Sequence, residues 1–194
     1  MTQNVTPLRS SDFEESDNIK NFPNRDWIEA GIKLLREHGP HVLSIDEICT
    51  LTKKNEQEFN QTFEDIDSFY SAIFDYWYEK ETLKYIDMMD EIGGDAETAL
   101  YTMAKITHDI DKQDEIAIRN LALRCPEACN ALDRVDRTRL DVAAGLFKEM
   151  GFSDKDSMIR AKILYTASIG TEYTSISASL DQKLEMLKLL LEKN

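Results

Sequence analysis

Apolar residues fall in helical register along most of the chain. Trp27, Ile28, Gly31, Ile32 and Leu35 recur at intervals of one and three, which places them on one side of a helix. His38-Gly39-Pro40 ends that run, with glycine supplying a left-handed residue and proline following where a helix cannot continue. Ser44 and Glu47 stand at the spacing of a capping box and open a short second helix over about 44–51. Polar residues 52–55 then break the period. Asn55 with Glu58 repeats the capping signature for a third helix, whose inward pair is Phe59 and Phe63, four apart. Ile66, Phe69, Tyr70, Ile73, Phe74, Trp77 and Tyr78 carry a long fourth helix to about Ile92, where Gly93-Gly94 stops it. Further helices are predicted at about 95–110, 113–125, 127–150, 154–176 and 180–192. The expectation is an all-α protein of about nine helices.

Composition supports that reading. Seven Gly and four Pro in 194 residues leave few breakers. Residues 1–22 are polar with scattered apolar positions, so they are expected to form a flexible arm. Residues 23–75 form a first, three-helix domain, and 76–194 a larger helical one. Tyr76, Trp77 and Tyr78 are expected to join them. The three cysteines (Cys49, Cys125, Cys129) form no CxxC pair, which points to free thiols and a reducing, cytoplasmic setting. No apolar stretch approaches the ~18 residues of a membrane span. His38 and His41 lie either side of a helix stop with no third ligand nearby, so no metal and no cofactor is expected. Nucleophile triads, Gly-rich phosphate loops and HExxH motifs are absent from the sequence, which argues against an enzyme.

Trp27 through Leu35, His38-Gly39, residues 44–49, and Phe59, Phe63, Phe69 and Ile73 together resemble, without a gap over residues 25 to about 75, the DNA-binding domain of the tetracycline-repressor (TetR) family. A looser resemblance to the regulatory domains of such proteins runs through residues 116–122, 135–140, 146–152 and 160–165. The resemblance implies an N-terminal helix-turn-helix and a C-terminal helical domain for ligand and dimerisation. It implies a transcriptional regulator that binds operator DNA as a homodimer through its last two long helices, about 154–176 and 180–192. In this family the third helix enters the major groove. Carried over by position, the DNA-binding candidates are Lys53, Lys54, Asn55, Gln57, Asn60, Gln61 and Thr62, with Arg25 and Ser44 near phosphates. Asn and Gln suit adenine edges. Met88, Met89, Tyr101, Met103, Ile106 and His108 are candidates for a cavity holding a small apolar ligand, since soft and aromatic side chains suit such molecules.

Charge changes the picture. The chain carries a formal net charge of −14. Residues 25–75 hold five basic and eleven acidic side chains, and 53–68 hold two and five. Where the family carries a Lys or small residue, a Tyr and a Lys, this sequence has Glu56, Asn60 and Ile66. An acidic third helix repels phosphates and forfeits counterion release. The alternative expectation is therefore a TetR-fold protein that has lost operator binding and acts through protein-protein interaction.

Overall fold

The computed structural model describes residues 17–108, 110–124 and 126–193, and these are α-helical with short connections. In chain order the helices are α1 (Asp17–Lys20), α2 (Arg25–His38), α3 (Ile45–Thr52), α4 (Glu56–Thr62), α5 (Ile66–Tyr78), α6 (Lys84–Ile92), α7 (Ala96–His108), α8 (Gln113–Ala122), α9 (Pro126–Glu149), α10 (Asp154–Gly170) and α11 (Leu180–Leu191). The predicted fourth helix runs from 66 to 92 as expected. One turn of π-helix, Glu79–Leu83, separates its two α-helical stretches. The predicted helix at 154–176 stops earlier, at Gly170, and a 3-10 turn follows.

The chain divides into two compact units. One comprises Glu15–Lys84 with Asp111–Asp136, and the other holds Tyr85–Ile110 with Arg137–Asn194. The first is larger than the expected 23–75 segment, because α8 packs along α2 and the start of α9 joins the same core. Its upstream limit also moves. Residues 1–16 of the expected arm lie outside the described residues, but α1 buries Ile19, and the Phe22 ring meets Tyr76 edge-on at 5.2 Å. Two apolar side chains among polar neighbours are too few to set a helical period, yet Ile19 joins the core of this unit and Phe22 packs against Tyr76 of α5.

An aromatic cluster organises this unit. Phe59 is fully buried, with ring centroids 5.5 Å from Trp27, 5.1 Å from Phe63 and 5.5 Å from Phe69. The Trp27 and Phe69 pairs are edge-to-face, and such pairs contribute about 0.5–1.5 kcal/mol each beyond area burial. Gly31 makes the cluster possible: a Cβ there would lie 2.6 Å from the Phe69 ring and 3.1 Å from Ile73, so α2 meets α5 closely only because the side chain is absent. Tyr76 and Trp77 belong to this same core, and the Tyr76 hydroxyl donates to Glu29 Oε1 at 2.8 Å. Behind them Arg119 is buried, donating to Glu115 at 2.7 Å and through both terminal nitrogens to Asp136 at 2.7 and 3.2 Å.

The second unit packs Leu100, Phe147, Ala161 and Leu187 at its centre, from α7, α9, α10 and α11. Arg160 donates to the carbonyl oxygens of Leu190 and Glu192 at the end of α11, where helix carbonyls lack partners, and its guanidinium stacks 4.1 Å from the Phe152 ring. The outward sides of α10 and α11 leave Ile159, Ile163, Met186 and Leu189 exposed. Among the described residues no helix is long and apolar enough to cross a membrane.

Candidate nucleic-acid interface

Helices α3 and α4, joined by residues 53–55, form the helix-turn-helix. Ser44 caps α3 by accepting from the Glu47 amide at 3.4 Å, which is the forward half of the expected capping box. At the end of α3, Lys53 adopts the left-handed region (φ 57°), and the Lys54 amide reaches back to the Cys49 carbonyl at 3.1 Å. Left-handed backbone costs an L-residue roughly 1–2 kcal/mol, so this turn is conformationally demanding. Asn55 then opens α4 with both halves of a capping box: its Oδ1 accepts from the Glu58 amide at 3.0 Å, and its own amide donates to Glu58 Oε2 at 2.9 Å. Phe59 and Phe63 turn inward as the sequence predicts.

Gln57, Asn60 and Gln61 are exposed, and their three- and four-residue spacing puts them on one face of α4. Their side chains carry donors and acceptors suited to base edges. The remaining candidates other than Lys53 are otherwise engaged. Thr62 donates its hydroxyl back to the Glu58 carbonyl at 2.8 Å. Ser44 and Asn55 serve as caps. Arg25 pairs with Glu29 at 2.8 Å and reaches the Ile19 carbonyl. Lys54 is ion-paired with Asp26 and sits 4.7 Å above the Trp27 ring. Of the two lysines between 53 and 68, Lys53 alone projects into solvent.

Asp26 is the partner that sequence reasoning missed. It lies one helix and a turn away from Lys54 in the chain, so no local spacing announces the pair. The hydrogen bond from the Lys54 ammonium holds its carboxyl below the usual carboxylate range. Cys49 reports the same field from inside the motif. Burial pushes its thiol up, and Asp46, Glu56 and Glu58 push it further, so carboxylates from both α3 and α4 act on one point.

The ligand candidates are dispersed. Met88 is buried, Tyr101 packs against the core of the second unit, and Met89 alone of the six candidates lines a cleft there. His108 Nδ1 is buried with no hydrogen-bond partner among the described residues. Cys125 lies outside the described residues, whereas Cys129 donates its thiol to the Ala122 carbonyl at 3.1 Å.

No protein-family model matches the sequence, and no curated protein matches it. Solved structures do resemble the fold. A protein of Pseudomonas aeruginosa PAO1 described as a transcriptional regulator superposes with a TM-score of 0.71 at 14% identity, covering 92% of this chain and 94% of its own. Reduced NemR of E. coli gives 0.65 at 14% identity, over 86% and 91%. The multidrug binding protein EbrR complexed with imidazole gives 0.62 at 12% identity, over 93% and 98%. At these identities the likeness is one of fold.

Proposed function

We propose that the protein is a TetR-like transcriptional regulator, working as a homodimer with α4 of each copy in the major groove of a pseudo-palindromic operator. The observation that carries this reading is the intact helix-turn-helix: Phe59 and Phe63 are plugged beneath it while Gln57, Asn60 and Gln61 face outward. Lys53 contacts phosphate, and specificity comes from amide side chains rather than from charge. The exposed Ile159, Ile163, Met186 and Leu189 supply the apolar surface for pairing α10 and α11 with a second copy. A small molecule bound in the second unit shifts the population of DNA-competent dimers.

Fluorescence anisotropy against genomic fragments at low salt tests the reading. The expected result is a specific shift, lost in Gln57→Ala with Asn60→Ala; no shift with any fragment overturns it. A second reading is favoured by the Lys54–Asp26 and Arg25–Glu29 pairs, which engage two of the motif's cations while Glu56 and Glu58 stay exposed. A carboxylate ~4 Å from a phosphate costs ~1 kcal/mol in bulk water and ~4 kcal/mol at an effective dielectric near 20. On that reading the motif docks a basic protein instead. Glu56→Lys with Glu58→Gln separates the two: it strengthens DNA binding under the first and abolishes partner binding under the second.

A further inference from the structure

Lys54 immediately precedes the Asn55 cap of α4, a position from which a flexible cationic side chain can follow that helix to a phosphate. Its ammonium is turned back instead. The left-handed backbone at Lys53 and the bond from the Lys54 amide to the Cys49 carbonyl reverse the chain, and the Lys54 side chain crosses the Trp27 ring to reach the Asp26 carboxylate on α2. Asp26 keeps its negative charge there. The Lys54 bond favours the ionised carboxyl, and so do the amides of Trp27 and of Asp26 itself in the first turn of α2. An anionic oxygen of the chain's own thus engages the ammonium as a phosphate oxygen would.

The pair is placed to open. Asp26 is 59% exposed and Lys54 31%, so water and salt screen the attraction and a competing anion can reach it. The neighbouring pair is built differently: Glu29 Oε1 accepts from Arg25 at 2.8 Å and also from the Tyr76 hydroxyl at 2.8 Å, which ties it to the aromatic core. A phosphate approaching α4 therefore competes with Asp26 for Lys54 while the Arg25–Glu29 pair stays in place.

We infer that Asp26 is an intramolecular stand-in for phosphate, an autoinhibitory contact that withholds Lys54 from a nucleic-acid backbone and weakens the hold of α4 on DNA. The inference rests on the DNA-binding reading above. Fluorescence anisotropy of the full chain on a duplex of arbitrary sequence, repeated across salt concentrations, tests it as a double-mutant cycle. Asp26→Asn should tighten binding roughly fivefold at low salt and steepen the log-log salt slope by ~0.9 per copy of the head, the value for one added phosphate contact. Lys54→Gln should change the wild-type affinity by less than about twofold and cancel the gain in the double variant, with helix content by circular dichroism unchanged throughout. An equal gain from Asp26→Asn with and without Lys54 overturns the inference, because Asp26 then merely repels DNA. So does a Lys54→Gln that weakens the wild type as much as it weakens Asp26→Asn, because Lys54 then already reaches phosphate. Limited acylation read by mass spectrometry probes the same contact without DNA: in the wild type Lys54 should react roughly threefold more slowly than Lys53, and Asp26→Asn should raise its rate by about as much. If no variant binds a duplex, the regulator reading falls, and acylation still decides this contact: equal Lys54 rates in the wild type and Asp26→Asn overturn it.

Discussion

Gly31 shows how one missing atom sets the geometry of the head. Gly31→Ala gains up to ~1 kcal/mol of helix propensity, but overpacking against the fully buried Phe69 costs about 1–3 kcal/mol. Net destabilisation is expected, read as a lower urea midpoint with an unchanged slope. Cys49 offers a chemical probe at the same scale. Its raised pKa lowers the thiolate fraction, so the alkylation rate should climb to its plateau only at a pH above the ordinary thiol range near 8.5. Glu56→Gln should shift that profile downward. A wild-type profile matching a free thiol would show that the carboxylates do not act on this site. The aromatic plug was legible in the sequence because Phe59 and Phe63 sit at helical spacing. The pairing of Asp26 with Lys54 was not, since an ion pair between residues twenty-eight apart leaves no periodic trace.

At the scale of elements, caps and breakers announced themselves most clearly. Asn55–Glu58 forms the reciprocal cap expected of it, and Ser179 with Gln182 forms another at the start of α11. These signals are local, so sequence reveals them. The π turn at Glu79–Leu83 changes the hydrogen-bond register without interrupting the apolar rhythm, which is why a single long helix was anticipated there. The anchoring of α11 was equally hidden, because Arg160 lies thirty residues from the Leu190 carbonyl it caps. Arg160→Met should remove charge-assisted bonds worth about 1.5–3 kcal/mol and fray the C-terminal helix first. Hydrogen exchange checks this: amides of α11 should lose protection ahead of those in α9. Uniform loss across both helices would contradict the assignment.

For the whole molecule, domain limits were the least legible feature. Sequence places a boundary near residue 75, yet the compact unit takes in Asp111–Asp136, whose apolar positions cover α2 and whose Arg119 is buried between two carboxylates. Periodicity tells which face of α8 is apolar but not which helix it covers. Arg119→Met removes the charge-assisted bonds to Glu115 and Asp136, and loss of about 1.5–3 kcal/mol is expected in chemical denaturation. An additional Glu115→Gln should recover part of it. Loss below 1 kcal/mol would mean that the network is solvated.

The left-handed lysine sets fold against function. Lys53→Gly relieves a backbone conformation that costs about 1–2 kcal/mol and should raise the melting temperature. The same exchange strips the turn of its uncommitted positive charge. On the proposed reading that charge supplies the phosphate contact, so Lys53→Gly is expected to raise the melting temperature while weakening DNA binding.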